Sequence, residues 1–157
     1  MNNLNYEQAL NRIATYCSRA ERCVFDVRRK LDIWEIPLEQ QNKIIKKLQK
    51  EKFLDEERYC KAFVNDKTKY NRWGIYKIKF ELKRKKIPDL FIEKVFENIN
   101  TEENIERLRL LIEQKMKSVK GKNEWEIRQK LMRFAAGRGF SQNDIDIILE
   151  AIPFHIK

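Results

Sequence analysis

Residues 76–88 read Tyr76-Lys77-Ile78-Lys79-Phe80-Glu81-Leu82-Lys83-Arg84-Lys85-Lys86-Ile87-Pro88, and residues 25–37 read Phe25-Asp26-Val27-Arg28-Arg29-Lys30-Leu31-Asp32-Ile33-Trp34-Glu35-Ile36-Pro37. A shift of 51 lays Phe25 on Tyr76, Val27 on Ile78, Leu31 on Leu82, Ile36 on Ile87 and Pro37 on Pro88. The match runs on to Ile44/Ile45 against Val95/Phe96 and Leu48 against Ile99. A third copy follows at a shift of 49, giving Trp125, Ile127 and Leu131. The shift then becomes 53 for Phe140, Ile148, Leu149 and Ile152, so about one helical turn is inserted around Met132–Gly137. The chain therefore reads as three repeats of one supersecondary unit.

Each unit reads as three helices. Tyr6, Ala9, Leu10, Ile13, Ala14 and Cys17 recur at the 3–4 spacing of a one-sided helix over Tyr6–Arg19. A second helix is expected from about Glu21 to Trp34 and a third from Leu38, after the break at Pro37. The opening helices of the later units are expected at Asp55–Thr68 and Glu102–Ser118. Ser141, three residues before Asp144, has the chemistry of an N-cap. The fold class is all-α, with three-helix repeats over 1–52, 53–100 and 101–157. Such repeats stack through neighbouring apolar faces, which predicts an elongated, curved array.

Composition agrees and excludes much. The 157 residues carry only four Gly and three Pro, with 37% charged, which favours helix over sheet. No apolar run approaches the roughly 20 residues of a spanning helix, and Met1–Glu7 lacks the pattern of a signal peptide. Three unpaired Cys predict a reduced, cytoplasmic protein, and Cys17 and Cys60 fall on apolar helix faces.

The net charge of +10 is concentrated. Between Lys67 and Lys86 stand Lys67, Lys69, Arg72, Lys77, Lys79, Lys83, Arg84, Lys85 and Lys86 against the single acid Glu81, a local excess of +8. Tyr70, Trp73 and Tyr76 are interleaved with them. Cations alternating with aromatics suit a surface that follows phosphates and stacks bases. A solvated helix face is the plainer reading, but the near absence of acids favours a polyanion or an acidic protein. Arg28, Lys79 and Arg128 are equivalent under the shifts and form a second series of cations; a charge flanking each apolar stripe explains them equally well. Trp73 has no aromatic counterpart in the other repeats and is expected to be the exposed tryptophan. Phe25, Tyr76 and Trp125 share one position, which points to packing between helices.

Catalysis finds little support. The single His, His155, lies past Pro153 near the chain end and is read as a tail residue. Cys17, Cys23 and Cys60 lack zinc or redox spacing. The clusters Asp55-Glu56-Glu57 and Glu102-Glu103 open expected helices, where the macrodipole favours acids. No phosphate-cradling glycine motif occurs, so no cofactor and no metal is expected. Gly74 is expected at a helix start where backbones approach, and Gly137 and Gly139 at a helix stop.

One stretch then resembles a known family. Phe53-Leu54-Asp55-Glu56-Glu57-Arg58-Tyr59-Cys60-Lys61-Ala62-Phe63-Val64 is similar to the Leu-Asp-(Asp/Glu)-x-x-(Phe/Tyr)-Ala-x-x-(Phe/Tyr)-Val signature of the RecX recombination regulators. Trp73-Gly74 and Ile78-x-x-Glu81-Leu82-x-x-Lys85-x-Ile87 follow as in that family, and Gly139-Phe140-Ser141 with Ile145 resembles its C-terminal motif. Three positions depart from it. Cys60 stands for an Ala, Lys86 for the Gly of a left-handed stop, and Trp34-Glu35-Ile36 for the corresponding turn of the first repeat.

The resemblance implies a non-enzymatic, cytoplasmic modulator that binds the RecA recombinase and its filament on single-stranded DNA. It further implies inhibition of strand exchange, ATP hydrolysis and co-protease activity, and a role in recombination, repair and the SOS response. On that reading Arg72, Lys77, Lys79, Lys83, Arg84, Lys85 and Lys86, with Trp73 as a stacking or wedging residue and Arg28 and Arg128 beside them, form the contact. No membrane is expected as a partner, and a monomer suffices. The alternative is a stand-alone nucleic-acid binder using its three-helix units like helix-turn-helix modules.

Overall fold

A computed structural model describes residues 4–154, which leaves His155 outside the described residues. These residues form α1 (Tyr6–Arg19), α2 (Val24–Ile33), α3 (Leu38–Lys50), α4 (Glu56–Lys69), α5 (Ile75–Arg84), α6 (Asp89–Glu97), α7 (Thr101–Met116), α8 (Glu124–Gly137) and α9 (Gln142–Ala151), with no strand among them. The all-α reading holds. The inserted turn is visible too: α2 and α5 have 10 residues each, and α8 has 14.

The helix starts are dictated locally. Asn5 accepts from the Gln8 amide at 2.8 Å while Gln8 Oε1 accepts from the Asn5 amide at 3.1 Å, a reciprocal cap. Asn100, Asn123 and Ser141 cap α7, α8 and α9 through their side chains, Ser141 as its sequence position predicts. α2 begins later than Glu21, because Cys23 is still extended at φ −108°.

The helix stops repeat as well. Glu35, Lys86 and Gly139, equivalent under the repeat shifts, all sit at positive φ, at 57°, 57° and 94°. Behind each, the next residue reaches back five positions: the amides of Ile36, Ile87 and Phe140 donate to the carbonyls of Leu31, Leu82 and Ala135 at 3.0, 3.1 and 3.3 Å. Those six residues are all buried. This is the Schellman closure with its apolar clasp. Lys86 and Glu35 thus make the turn without a glycine, at a cost of about 1 kcal/mol each.

Two compact units divide the chain, one of residues 1–63 with 82–95 and one of residues 64–81 with 96–157. In the first, α1, α2 and α3 close on Ile13, Val27, Leu31, Ile44 and Leu48. Gln41 is also buried there, 2% exposed, donating to Asp32 Oδ1 at 2.6 Å and to the Ile36 carbonyl at 2.9 Å. In the second, α7, α8 and α9 close on Leu108, Ile112, Leu131 and Ile145.

Each unit also contains the start of a second helix docked on a turn from the following repeat, by different chemistry. In the first unit the amide of Val24 donates to Glu56 Oε1 at 2.7 Å, and that of Cys23 to Asp26 Oδ2 at 3.4 Å. Lys85 Nζ binds Asp26 Oδ1 at 2.8 Å, with both side chains under one quarter exposed. Burial pushes the Asp26 carboxyl up, but hydrogen bonds from Lys85 and Cys23 outweigh this and hold it below the ordinary aspartate value. Burial holds the Glu56 carboxyl above its ordinary value.

In the second unit the amides of Gly74 and Tyr76 donate directly to the carbonyls of Arg138 and Gly139, at 2.7 and 3.0 Å. The open N–H groups at the start of α5 thereby meet carbonyls just past the end of α8, each satisfying the other. The approach is close. A Cβ on Gly74 would lie 2.4 Å from the Gly139 carbonyl oxygen, and one on Gly139 would lie 2.3 Å from Lys77 Cβ. Gly74 and Gly139 are small for that reason, as Gly74's place in the sequence suggests.

Candidate nucleic-acid interface

The basic window is laid out across both units. In the second unit Lys69 and Arg72 are exposed, while Lys67, Lys77 and Lys79 are half-buried. Arg72 holds a left-handed backbone, φ 55°, and its guanidinium donates to Gln114 Oε1 at 2.9 Å. Lys77 Nζ donates to the Gly137 carbonyl at 3.3 Å, and Lys79 lies 4.9 Å from the Phe96 ring centre. In the first unit Lys83, Arg84 and Lys86 are exposed. Lys85 is the exception. Its ammonium is tied to Asp26 and lies 5.8 Å from the Tyr59 ring centre, which makes it part of the helix-start docking.

Trp73 departs from expectation. It is half-buried, with Lys67 and Lys77 over its ring at 4.9 and 4.6 Å and its amide bonded to the Lys67 carbonyl at 2.9 Å. The flanking lysines cover the ring by cation–π attraction. The exposed tryptophan is Trp125, 69% accessible. The packing reading of its shared position is corrected with it: Phe25 is half-buried, but Tyr76 is 63% exposed. The reason is geometric. This position stands two residues before the apolar stripe of its helix, about 200° around the axis from it.

Arg28, Lys79 and Arg128 are each half-buried and engaged within their own unit. Arg28 donates to Asn42 Oδ1 at 2.8 Å, and Arg128 lies over Phe154 at 4.2 Å and bonds Glu124 at 3.2 Å. The acid clusters serve helix starts. Asp55 accepts from the Arg58 amide at 3.0 Å, Glu57 pairs with Lys94 at 2.8 Å, and Glu102 and Glu103 lie in the first turn of α7. Cys17, Cys23 and Cys60 are free and buried. Burial pushes their thiols up to about 11, 12 and 11. No described helix is long and apolar enough to cross a membrane.

Sequence reasoning missed further cations. Arg107 and Lys117 on and after α7 lie with Lys69 and Arg72 along one cleft of the second unit. They stand far from the basic window in sequence, so no local charge count brings them in.

Residues 55–95 match the second three-helix domain of RecX and residues 101–149 the third. The chain belongs to the RecX family. Among RecX relatives, the regulatory protein RecX of Bacillus cereus (strain B4264) is 26% identical over 147 residues, covering 94% of this chain and 53% of the relative. That of Clostridium acetobutylicum is 28% identical over 152 residues, covering 94% and 70%. The chain thus spans about half the length of the first of these relatives. Two crystal structures share the fold. One, of a regulatory protein RecX, has a TM-score of 0.84 at 23% identity over 92% of this chain and 73% of that one. The other, of RecX from Lactobacillus salivarius, has a TM-score of 0.80 at 22% identity over 93% and 95%.

Proposed function

We propose that this chain acts as a RecX-like regulator in the cytoplasm. It binds RecA and the RecA filament on single-stranded DNA, and it lowers strand exchange, ATP hydrolysis and co-protease activity. Through that it tempers recombination, repair and the SOS response. The observation that carries the reading is the match of two successive RecX domains in order along the chain. The exposed cations Lys83, Arg84 and Lys86 support it, since such a surface suits a DNA backbone or an acidic protein face. The action is one of binding, as a monomer and without a cofactor. Repeated units allow several weak contacts along a filament to add to a strong one.

The test is the DNA-dependent ATPase of a cognate RecA, measured with and without the protein. The intact chain should inhibit it, and no inhibition sinks the functional reading. Reversing Lys83, Arg84 and Lys86 to Glu should weaken inhibition at least tenfold; unchanged inhibition refutes the site alone. Lys85 is left intact in this test, because its ammonium belongs to the fold.

A further inference from the structure

Between the C-terminal end of α4 and α7, within the second unit, lies a cleft of about 630 Å³. That is within the range of small-ligand sites, about 300–1,000 Å³. Four cations line it: Lys69, Arg72, Arg107 and Lys117. Its one acid, Glu113, is already bound to Arg109. A cationic cleft can be a by-product of helix ends, since C-termini favour Lys and Arg. Lys69 and Lys117, at the ends of α4 and α7, fit that account. So does Arg72, at the stop just after α4; Arg107 does not.

Arg107 sits in the middle of α7, half-buried. Its terminal nitrogen donates to the buried Asn104 at 3.2 Å, yet its Nε is buried and makes no hydrogen bond. A buried charged donor without an acceptor costs more than almost any other unsatisfied group. An anion beside the half-buried guanidinium would offset the cost of holding its charge there, though not the buried Nε itself. Arg72 holds a left-handed backbone at the stop after α4, as Glu35 and Lys86 do at theirs. That conformation sets its guanidinium on Gln114 at the rim of the same cleft. Both guanidinium groups thus lie on one cleft. The helix C-termini contribute about half a negative charge each, less than the four cations supply.

The lining is not wholly polar. Leu110 is 53% exposed on it, a large apolar side chain among charges. A free inorganic anion would leave that surface wet. A nucleotide would not, because its phosphate and its sugar–base portion call for both surfaces at once.

We propose that this cleft holds one phosphodiester of a single nucleic-acid strand, on Arg72 and Arg107, with the attached nucleoside against Leu110. The proposal rests on the DNA-contacting part of the function given above and adds Arg107 and Lys117 to its surface. No aromatic side chain lines the cleft, so the nucleoside is held against Leu110 without ring stacking.

The experiment is fluorescence anisotropy of a labelled oligothymidylate with the full chain alone, across a series of salt concentrations. The intact chain should bind, more weakly as salt rises. Arg107→Met keeps the apolar stem and removes the charge. Arg72→Gly removes a charge while relieving the left-handed backbone, so weaker binding there cannot be ascribed to unfolding. Each should lose about tenfold in affinity, the size of one charge-assisted hydrogen bond. Each should also flatten the slope of log affinity against log salt by about 0.7. Unchanged affinity and slope in both variants overturn the proposal. So does a polyaspartate of equal charge that displaces the strand as well as unlabelled oligothymidylate does. If the intact chain fails to bind the strand even at low salt, the cleft proposal falls; the ATPase assay still decides the RecA reading separately.

Discussion

The two docked helix starts solve one problem in opposite ways. At the start of α2 the open amides meet carboxylates, with Glu56 and Asp26 as acceptors and Lys85 as the counterion. At the start of α5 they meet bare carbonyls just beyond α8, across two residues without side chains. Cys23 stands where Gly74 does, and Lys85 and Lys86 where Arg138 and Gly139 do. The first arrangement depends on charge and tolerates side chains. The second depends on contact distance and tolerates none. A repeat protein can therefore keep its stacking geometry while the interactions that hold it are exchanged one repeat at a time.

The sharpest way to break this comparison is at Gly139. Gly139→Ala puts a Cβ 2.3 Å from Lys77 Cβ at a residue with φ 94°. It should cost about 3 kcal/mol and lower the melting temperature by roughly 10 °C. A loss of under 1 kcal/mol would show that the glycine approach is not what holds α5.

Next in size is the ion pair. Lys85→Ala and Asp26→Asn should each cost about 2 kcal/mol, between the values for exposed and buried pairs. A double-mutant cycle should return a coupling of about 1 kcal/mol that shrinks with added salt. The sign with pH follows from Asp26, whose folded value is lowered. Its contribution is present at neutral pH and is lost as pH falls from about 4 through the lower folded value. Urea unfolding of the Asp26→Asn chain should lack that loss.

The smallest effect sharpens the contrast. Lys86 has the same left-handed backbone as Gly139 but no close neighbour requirement of that kind has selected glycine there. Lys86→Gly should therefore stabilise, by about 1 kcal/mol, while Gly139→Ala destabilises. Opposite signs at equivalent positions would set the two dockings apart more firmly than either change alone.

Much of the frame was legible because repeats multiply weak signals. Val27, Ile78 and Ile127 mark helix stripes at shifts of 51 and 49, and the change to 53 further on signals the longer α8. Gly74 could be read as a close approach because few other roles suit a lone glycine before a helix. The site was less legible. Asp26 and Lys85 are 59 residues apart, and nothing periodic joins them. Gln41 is polar, so an apolar pattern passes over it although it is buried. A lack of aromatic counterparts does not make Trp73 exposed, because neighbouring lysines cover its ring. Trp125 and Tyr76 were within reach, since a position two residues before a stripe faces away from it. Arg107 and Arg72 come together only in space.

The cysteines have a use that their burial creates. All three fall in residues 1–63, within the first compact unit, and the second has none. With thiols pushed up to about 11 or 12, they are almost entirely protonated and shielded at neutral pH. Alkylation can then proceed only when that unit opens. The rate at which an added reagent consumes thiol is therefore a built-in clock for one half of the molecule, readable without a label and blind to motion in the other half.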